Sequence, residues 1–405
     1  MHVIFVEPCF PNNQKQFVRA LREAGATVTG IGEIPKDSLP SDVKGWLHHY
    51  EQVPSVVHEP SMIEAVTKIQ RLGWVDRLEA TVEAHIMAAA RTREARGIPG
   101  TSVKTSHLCR DKPAMKEALR KAGIPCAQSI GTDSADEVRD FVKSVGYPVI
   151  LKPRAAAGAS GTFKASNDEE LESVIKETAV DRGASVAVEE FIEGHEAFFD
   201  TITVGGNIVH HFITHYYPGV LEAMRTRWIS PQFIATNRVQ AEGYDEVREM
   251  GLKVIEALEI DTSATHMEWF YGPKGLKFSE IGCRPPGVGA WDLYCAGNEM
   301  DVYKEWAMAI CYGKPSQKPT RRFAAGLINL RPDRDGRIVG YEGMEYLEQI
   351  SDLIIDHRLP PVGSSTQPVE AGYMANAYVR VRHPDYDTLR GILNTIGERV
   401  QVRAR

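Results

Sequence analysis

Residues 147–164, YPVILKPRAAAGASGTFK, decide how this chain is interpreted. The first five residues are typical of a short buried strand, and Lys152 stands at the exit of that strand. A run rich in small residues, 153–162, follows and contains two glycines. Backbone N–H groups in such a run can approach an anion closely, because no bulky side chain shields them. The stretch therefore predicts either a phosphate-binding loop behind a lysine or a flexible turn between two strands.

Two common nucleotide motifs do not match the sequence. A P-loop, G-x-x-x-x-G-K-[ST], ends in its lysine, whereas Lys152 precedes the small-residue run and no lysine closes it. Gly30 and Gly32 begin a G-x-G-x-x-G pattern, but the third glycine is missing and the pair follows the second predicted strand. We interpret these two glycines as turn residues and not as a dinucleotide site.

Length and composition favour a globular protein of two or three domains. The chain has 405 residues, 43% of them apolar, with a net charge of −7 and a pI near 6.0. No global basic charge favours nucleic acid or an anionic membrane, and no apolar run reaches transmembrane length. The six cysteines are scattered without a C-x-x-C pair, as expected of reduced thiols. The first residues, MHVIFVEP, are unlike a signal peptide, so we expect a cytoplasmic protein. From its charge and hydropathy we expect it to bind neither nucleic acid nor a membrane.

The first part of the chain predicts a parallel sheet followed by a compact α/β block. An apolar strand (2–6), an amphipathic helix (14–24) and a second strand (27–31) form a strand–helix–strand opening. Further helices are predicted at 61–72, 81–96, 113–121, 134–144 and 168–179. With a strand at 185–190, the opening stretch belongs to a β–loop–β–α–β block that we expect to move as a lid over a ligand.

The rest of the chain predicts longer, paired strands. Strands are expected at 196–204, 207–216, 263–271 and 275–281, with helices at 241–258 and 299–312. Between them, residues 217–238 form a long irregular segment that carries Arg225 and Arg227, which either hold a substrate carboxylate or are surface charges. A linker at 315–319 precedes a last lobe of strands with a final helix at 385–397.

Two glutamates form the predicted metal site. Glu268 and Glu280 lie on two strands joined by the turn 272–275, and a hairpin pairing places both carboxylates near one another on one face. Two buried like charges are unfavourable unless a cation lies between them, and Mg²⁺ bridging phosphates is the natural choice. The alternative is a pair of solvent-facing glutamates on an exposed sheet face.

Taken together, the order and spacing of these motifs resemble the ATP-grasp superfamily. The residues that carry the resemblance are Lys112, Lys152 with the small-residue loop, VEEFIEGHE (188–196), His266-Met267-Glu268 and EIGCRPPG (280–287). The resemblance covers nearly the whole chain and implies an α/β (α+β) ATP-grasp fold. Its expected parts are a Rossmann-like N-terminal pre-ATP-grasp lobe (1–105), an ATP-grasp domain with a central antiparallel sheet (106–318) and a C-terminal α+β lobe (319–405). The lid subdomain is expected at about 130–190.

The resemblance also implies roles for individual residues in binding ATP. Lys112 and Lys152 would neutralise the α- and β-phosphates, under a loop that includes Ser160 and Gly161. Backbone groups of Glu190 and Ile192 would contact the adenine edge, with Glu189 nearby, and Glu196 would accept hydrogen bonds from the ribose hydroxyls. These residues form the predicted cofactor site.

The family comparison assigns the chemistry to residues around the metal pair. Glu268 and Glu280 would bind Mg²⁺, with Mn²⁺ as an alternative, and Arg284 would stabilise the transferred phosphoryl group. Lys152 is also predicted to take part in catalysis. His266 stands where some ligases carry an arginine, so it is expected to face the reaction centre. Gly282 departs from the family pattern, because many relatives have asparagine there, which leaves the second metal position open.

The sequence thus predicts an ATP-dependent carboxylate–amine ligase that forms an amide or peptide bond through an acyl phosphate, on amino-acid-like substrates. Its partners would be a small-molecule carboxylate and a small-molecule amine. A homodimer is an open alternative, since dimers are common among relatives. Other possibilities are a carboxylase-type or purine-pathway ATP-grasp enzyme, or a regulatory protein that binds ATP without turnover.

Overall fold

The computed structural model describes residues 1–154, 161–374 and 377–405. The small-residue loop of the opening stretch lies largely outside the described residues. Within the described ranges, no helix is long and apolar enough to cross a bilayer.

The N-terminal part forms a four-stranded parallel sheet in the order β3-β2-β1-β4, which confirms the predicted strand–helix–strand opening. The predicted helix at 81–96 begins later, because residues 83–85 form a single 3₁₀ turn. The elements are β1 (His2–Val6), α1 (Gln14–Glu23), β2 (Thr27–Gly32), α2 (Ser41–Trp46), β3 (His49–Gln52), α3 (Glu59–Leu72), β4 (Arg77–Glu79), α4 (Ile86–Arg96) and α5 (Val103–Leu108).

A second, smaller sheet follows, antiparallel and in the order β5-β8-β6-β7. Its elements are α6 (Lys112–Lys121), β5 (Ser129–Thr132), α7 (Ala135–Val145), β6 (Val149–Pro153), β7 (Phe163–Ala165), α8 (Asp168–Glu177) and β8 (Val186–Glu190). The strand predicted at 147–151 is therefore present as β6, shifted by two residues so that Lys152 lies within it. Valines and leucines from both sheet and helices fill a separate core beneath this sheet.

The largest sheet has eight antiparallel strands, which in spatial order are 275–282, 263–272, 195–204, 207–217, 232–235, 324–330, 377–383 and 354–358. The central elements are β9 (His195–Val204), β10 (Asn207–Tyr217), α9 (Val220–Ala223), β11 (Gln232–Ala235), α10 (Asp245–Ala257), β12 (Ser263–Gly272), β13 (Gly275–Gly282), α11 (Ala290–Asn298) and α12 (Val302–Tyr312). The four long strands confirm the predicted ones. Strand β11 lies in the segment predicted to be irregular, and α11 was not predicted.

The C-terminal residues continue this large sheet. Their elements are β14 (Ala324–Leu330), β15 (Ile338–Glu342), α13 (Met344–Gln349), β16 (Ile354–Arg358), β17 (Ala377–His383), α14 (Tyr386–Arg399) and β18 (Gln401–Ala404). Strand β14 pairs with β11 on one side and with β17 on the other, so hydrogen bonds run across the expected boundary at 318/319. The division into domains remains a prediction, while the sheet itself is continuous.

An aromatic cluster joins the N-terminal part to the helices that follow β13. Phe17 of α1 lies with its ring 4.9 Å from Tyr303, 5.1 Å from Trp306 and 5.2 Å from Trp291. Phe17 is almost fully buried in the largest apolar core. This contact connects α1, which packs beside the parallel sheet, to α11 and α12, which pack on the large antiparallel sheet.

Replacing Phe17 by alanine tests the importance of this contact. The variant should lower the free energy of unfolding by about 3–5 kcal/mol, because it removes a buried ring and leaves a cavity. Lys15→Ala on the same helix is the control: its 3.6 Å pair with Asp42 is partly exposed, so the loss should stay below about 1 kcal/mol. Urea unfolding followed by circular dichroism measures both. Equal losses for the two variants would contradict this role of the cluster.

Candidate active site

The two predicted metal glutamates lie directly opposite each other. Glu268 on β12 and Glu280 on β13 are cross-strand partners, and the ladder becomes irregular immediately after Glu268. Both side chains are partly buried. The turn at 272–275 pairs Gly272 with Gly275, and the irregularity between Glu268 and Trp269 then shifts the register by one residue, so that Glu280 and not Ser279 lies opposite Glu268. The hairpin pairing is thus as predicted, and it brings the two carboxylates to one place on the sheet.

Lys112 approaches this pair from α6. Its Nζ lies 3.2 Å from Oε2 of Glu280. The position of Lys112 is fixed locally by Asp111, which caps the helix by accepting a hydrogen bond from the Ala114 N–H. Arg154 donates two 3.0 Å hydrogen bonds to the same carboxylate. Lys112 N–H also donates to the Arg154 carbonyl at 3.2 Å. The exit of β6 and the start of α6 are therefore tied together beside the glutamates.

Lys152 and Lys116 share one carboxylate. Nζ of Lys152 lies 2.9 Å, and Nζ of Lys116 2.6 Å, from Oε2 of Glu189. Burial alone would raise the pKa of Glu189, but the two ammonium groups lower it to about 2. For Lys116, burial is the larger effect and lowers its pKa to about 8, although Glu189 opposes the change.

Lys116 was missed by the sequence analysis. The signal that points to it is its spacing, because it lies one helical turn after Lys112 and so shares its face of α6. Its side chain is only 1% exposed. A fully buried lysine needs a carboxylate, which Glu189 supplies.

The expected adenine–ribose segment has free hydrogen-bonding groups. Glu190 N–H donates to the Gln128 carbonyl and Phe191 N–H to the Pro148 carbonyl. Within the described residues, the Ile192 N–H has no acceptor and the buried Oε1 of Glu189 has no donor. The structure therefore leaves one donor and one acceptor of this segment open.

Glu196 lies on β9, on the same sheet face as Glu268. Its Oε2 accepts a 2.6 Å hydrogen bond from the Val220 N–H. Burial raises the pKa of Glu196 to about 8, and the charges of Glu268 and Glu280 act in the same direction. Its predicted contact with a ribose is not tested by the structure.

His266 lies beside the glutamate pair, Glu268 and Glu280, in a chain of buried polar groups. Its Nδ1 lies 2.7 Å from Oδ1 of Asp200 and its Nε2 lies 3.5 Å from Oε1 of Glu268. Tyr294 donates to the other oxygen of Asp200. Burial by itself would lower the pKa of His266, but Asp200 and then Glu268 raise it to about 9. His266 is therefore an imidazolium at neutral pH, which offsets part of the negative charge of the carboxylates.

Arg284 contacts a residue of the N-terminal part. Its Nε donates to Oε2 of Glu83 at 2.9 Å, and its Nη1 donates to the Pro285 carbonyl at 2.9 Å. Nε of Arg110 lies 3.2 Å from the other oxygen of Glu83. No partner of Nη2 of Arg284 is found among the described residues. Glu83 was missed by the sequence analysis, although it closely follows β4, at the carboxyl end of a parallel strand, where α/β folds place ligand groups.

Several other predicted residues have defined places. Gly161 has a left-handed φ of 68°, and a Cβ there would lie 3.2 Å from Pro153. Ser160 and the rest of the loop at 155–160 lie outside the described residues, so their contacts with phosphate stay predictions. A Cβ at Gly282 would lie 3.2 Å from Oε2 of Glu83, which leaves little room there for a larger side chain. Arg227 forms a 2.6 Å ion pair with Asp335, so its guanidinium already has one carboxylate partner within the protein.

Comparisons with known proteins agree with this geometry. The model of the ATP-grasp domain matches residues 117–299. An L-arginine-specific L-amino acid ligase of Bacillus subtilis is 26% identical over 346 residues, which are 84% of this chain and 82% of that protein. An alanine–anticapsin ligase of Bacillus subtilis (strain 168) is 24% identical over 313 residues, 71% of this chain, and the match spans 63% of that relative's length.

Solved structures show the same fold along the whole chain. The L-amino acid ligase from Bacillus licheniformis superimposes with a TM-score of 0.78 at 16% identity, covering 100% of this chain and 98% of that one. N5-carboxyaminoimidazole ribonucleotide synthetase from Thermotoga maritima gives a TM-score of 0.71 at 18% identity, with coverages of 100% and 99%. Residues 117–299 therefore form an ATP-grasp domain, and the structural likeness shows that the whole chain has the fold of these enzymes.

The high pKa of His266 gives a testable pH dependence. Because its folded pKa of about 9 lies above the unfolded value of about 6.5, the imidazolium stabilises the fold fully below pH 6.5 and loses this effect as the pH rises through 9. In an NMR titration of the histidine rings, His266 should titrate near pH 9, and Asp200→Asn should lower that value.

His195 is the internal control, because burial lowers its pKa and Asp200 is not among the groups that shift it. Its titration should be the same in the parent protein and in Asp200→Asn. Titration of His266 below about pH 7 in the parent protein would show that the Asp200 contact does not set its charge.

Proposed function

We propose that this protein is an ATP-dependent ligase that joins an amino-acid carboxylate to an amine, with phosphorylation of the carboxylate by ATP as the activating step. A carboxylate does not react with an amine at neutral pH, so its oxygen must first become part of a leaving group. Transfer of the γ-phosphoryl group gives an acyl phosphate and ADP. Attack of the amine then forms the amide and releases phosphate.

The observation that carries the proposal is the meeting of two carboxylates and two lysines at one place. Glu268 and Glu280 lie in register, and Lys112 reaches Glu280 from α6. Lys152 of the small sheet pairs with Glu189 and is also attracted by the charges of Glu280 and Glu268. Cations from separate elements suit a polyphosphate, whose charge they neutralise from two sides. This arrangement supports the proposed roles of Lys112 and Lys152 in binding the phosphates of ATP.

Open groups in the segment at 189–192 support adenine as the base. The free Oε1 of Glu189 can accept from an exocyclic amino group, and the free Ile192 N–H can donate to a ring nitrogen. Glu196 and the Glu190 carbonyl are proposed to complete the contacts with ribose and base. ATP presents the matching donor and acceptor pattern.

The glutamate pair fits a magnesium ion. The described residues contain no group of three or more His, Cys, Asp or Glu side chains arranged for a metal ion. Mg²⁺ commonly takes one or two carboxylates and completes its shell with phosphate and water, so Glu268 and Glu280 are sufficient protein ligands, and Mn²⁺ would fit the same donors. When bound, the ion would withdraw charge from the phosphate oxygens. Gly282 adds no side-chain ligand.

Arg284 is proposed to stabilise the transferred phosphoryl group and His266 to face it. The Nη2 of Arg284 is free among described residues while Glu83 holds Nε, so the guanidinium is oriented with one donor available. The imidazolium of His266 adds a positive charge next to Glu268. Closure of the small sheet, with Ser160 and Gly161 over the phosphates, is expected to exclude water, because an acyl phosphate hydrolyses readily.

The substrate class and the setting are proposed from the relatives and the cysteines. The curated relatives named above act on amino acids, by their names, which favours an amino-acid carboxylate and an amine here. All six cysteines are free thiols, which suits a reducing cytoplasm. A homodimer is proposed only by analogy with the family.

A substrate panel tests the proposal. Purified protein with Mg·ATP should release ADP and phosphate only when a suitable pair of amino acids is present, and mass spectrometry should find the amide. Arg284→Ala should reduce the rate by about 10²–10³-fold, since it removes a donor to developing negative charge. Arg403→Ala, which removes exposed ion pairs with Glu342 and Asp333, is the matched control and should keep the parent rate.

Binding of ATP without any substrate-dependent ADP would contradict the ligase proposal. That result would favour a regulatory protein that binds ATP without turnover. Gly282, which stands where many relatives have asparagine, is the sequence feature that favours this alternative. Full activity of Arg284→Ala would show that the phosphoryl group lies elsewhere.

A further inference from the structure

Lys116 is a buried cation for which the proposed chemistry has no use. It contacts neither of the metal glutamates, and its Nζ lies 2.6 Å from Oε2 of Glu189. The groups whose charges act on it are Glu189, Lys152 and the thiol of Cys126. A buried lysine is costly, so its place beside Glu189 requires an explanation beyond solvation.

The carboxylate of Glu189 is used unequally. Both lysines contact Oε2, at 2.6 and 2.9 Å, whereas Oε1 is buried and has no donor among the described residues. A buried carboxylate oxygen without a donor is unfavourable, because it has lost its hydrogen bonds to water and gained none in the protein. The hydrogen-bonding capacity of Glu189 is therefore satisfied only when a donor other than the described residues reaches Oε1.

The two lysines differ in what else attracts them. Lys152 is drawn towards Glu280 and Glu268 as well as Glu189, so its charge is directed towards the metal pair and the phosphates. Lys116 is attracted mainly by Glu189. When Lys152 engages a phosphate, Lys116 is the cation that keeps Glu189 ionised and holds Oε2 in place.

We propose that Lys116 is a positioning residue for base selection: it fixes the Glu189 carboxylate so that Oε1 accepts from the 6-amino group of adenine and rejects 6-oxo purines. A 6-oxo group would set a carbonyl oxygen against the carboxylate, with no proton between them. The amino group instead supplies the missing donor. This inference rests on the proposed ATP site, and it adds how that site selects its nucleotide.

Calorimetric binding of Mg·ATP and Mg·ITP tests the proposal without requiring turnover. The parent protein should bind ATP at least about 100-fold more tightly than ITP, since a site built around a donor rejects a base that lacks it. Methionine keeps roughly the length of the lysine side chain but cannot hold a carboxylate. Lys116→Met should therefore weaken ATP binding and reduce the ratio of ATP affinity to ITP affinity at least about 10-fold. Lys116→Arg should restore part of the ratio.

Lys121→Met is the matched control, because Lys121 is an exposed residue of the same helix and its ammonium group pairs with Glu117 on that helix. Its ATP/ITP ratio should equal that of the parent protein. If Lys116→Met is folded, by circular dichroism and thermal unfolding, and keeps the parent ratio, the proposal is wrong. Equal weakening of ATP and ITP would also overturn it, since that is what a purely structural lysine would give.

The parent protein alone provides a second measurement, should Lys116→Met not fold. The pKa of Lys116 lies near 8 and that of Glu189 lies well below it, while the pKa values of Cys126 and Lys152 are raised above their ordinary values, so among these groups only Lys116 should titrate near pH 8. ATP affinity should therefore fall more than ITP affinity does between about pH 6.5 and 8, below the range in which the 6-oxo base itself ionises. A ratio that stays constant across this range would contradict the proposal, whether or not the protein proves to be a ligase.

Discussion

The register between β12 and β13 is the constraint on which the site depends. It places Glu268 and Glu280 opposite one another, and two partly buried carboxylates in that position repel each other. The surrounding structure answers this repulsion with cations: Lys112 from α6, the imidazolium of His266 from the same strand, and Lys152 from the small sheet. A metal ion and a nucleotide would complete the same balance of charge. Without the one-residue shift after Glu268, Ser279 would lie opposite Glu268 and Glu280 would turn to the other sheet face, which would remove the site.

Ion pairs also join the three parts of the chain at this place. Glu83 brings the carboxyl end of the parallel sheet to Arg284, across 201 residues of sequence. Glu189 connects β8 of the small sheet to α6 through Lys116. Buried pairs of this kind contribute little net stability but strongly disfavour arrangements in which one partner is missing. We therefore expect these ion pairs to orient the reacting groups more than to stabilise the fold.

The sequence predicted elements with strong local patterns and missed those set by tertiary contact. Strands β9, β10, β12 and β13 have long apolar alternation, and they were found. Strand β11 is four residues long and lies inside a polar segment, so only its pairing with β10 and β14 reveals it. Helix α11 follows two prolines and a glycine, which predict a turn. The sequence does not show that β14 continues the central sheet, because the spacing of motifs along a chain does not determine the order of strands in a sheet.

The candidate site shows the same division. Lys112, Lys152, Glu268 and Glu280 follow from an order of motifs that the family resemblance made specific, and the structure brings them together. Lys116 and Glu83 depend on partners distant in sequence, so a single sequence shows them only as a lysine on a helix and a glutamate after a strand. The contacts of Ser160 with phosphate remain predictions from the resemblance.

The central claim is that a substrate carboxylate oxygen is phosphorylated on the way to the amide. The most direct test uses an amino acid labelled with ¹⁸O in its carboxyl group, incubated with Mg·ATP, the amine substrate and the protein. Transfer through an acyl phosphate predicts that one ¹⁸O appears in the inorganic phosphate for each amide formed, as mass spectrometry of the phosphate would show. Amide formation with unlabelled phosphate would contradict the account.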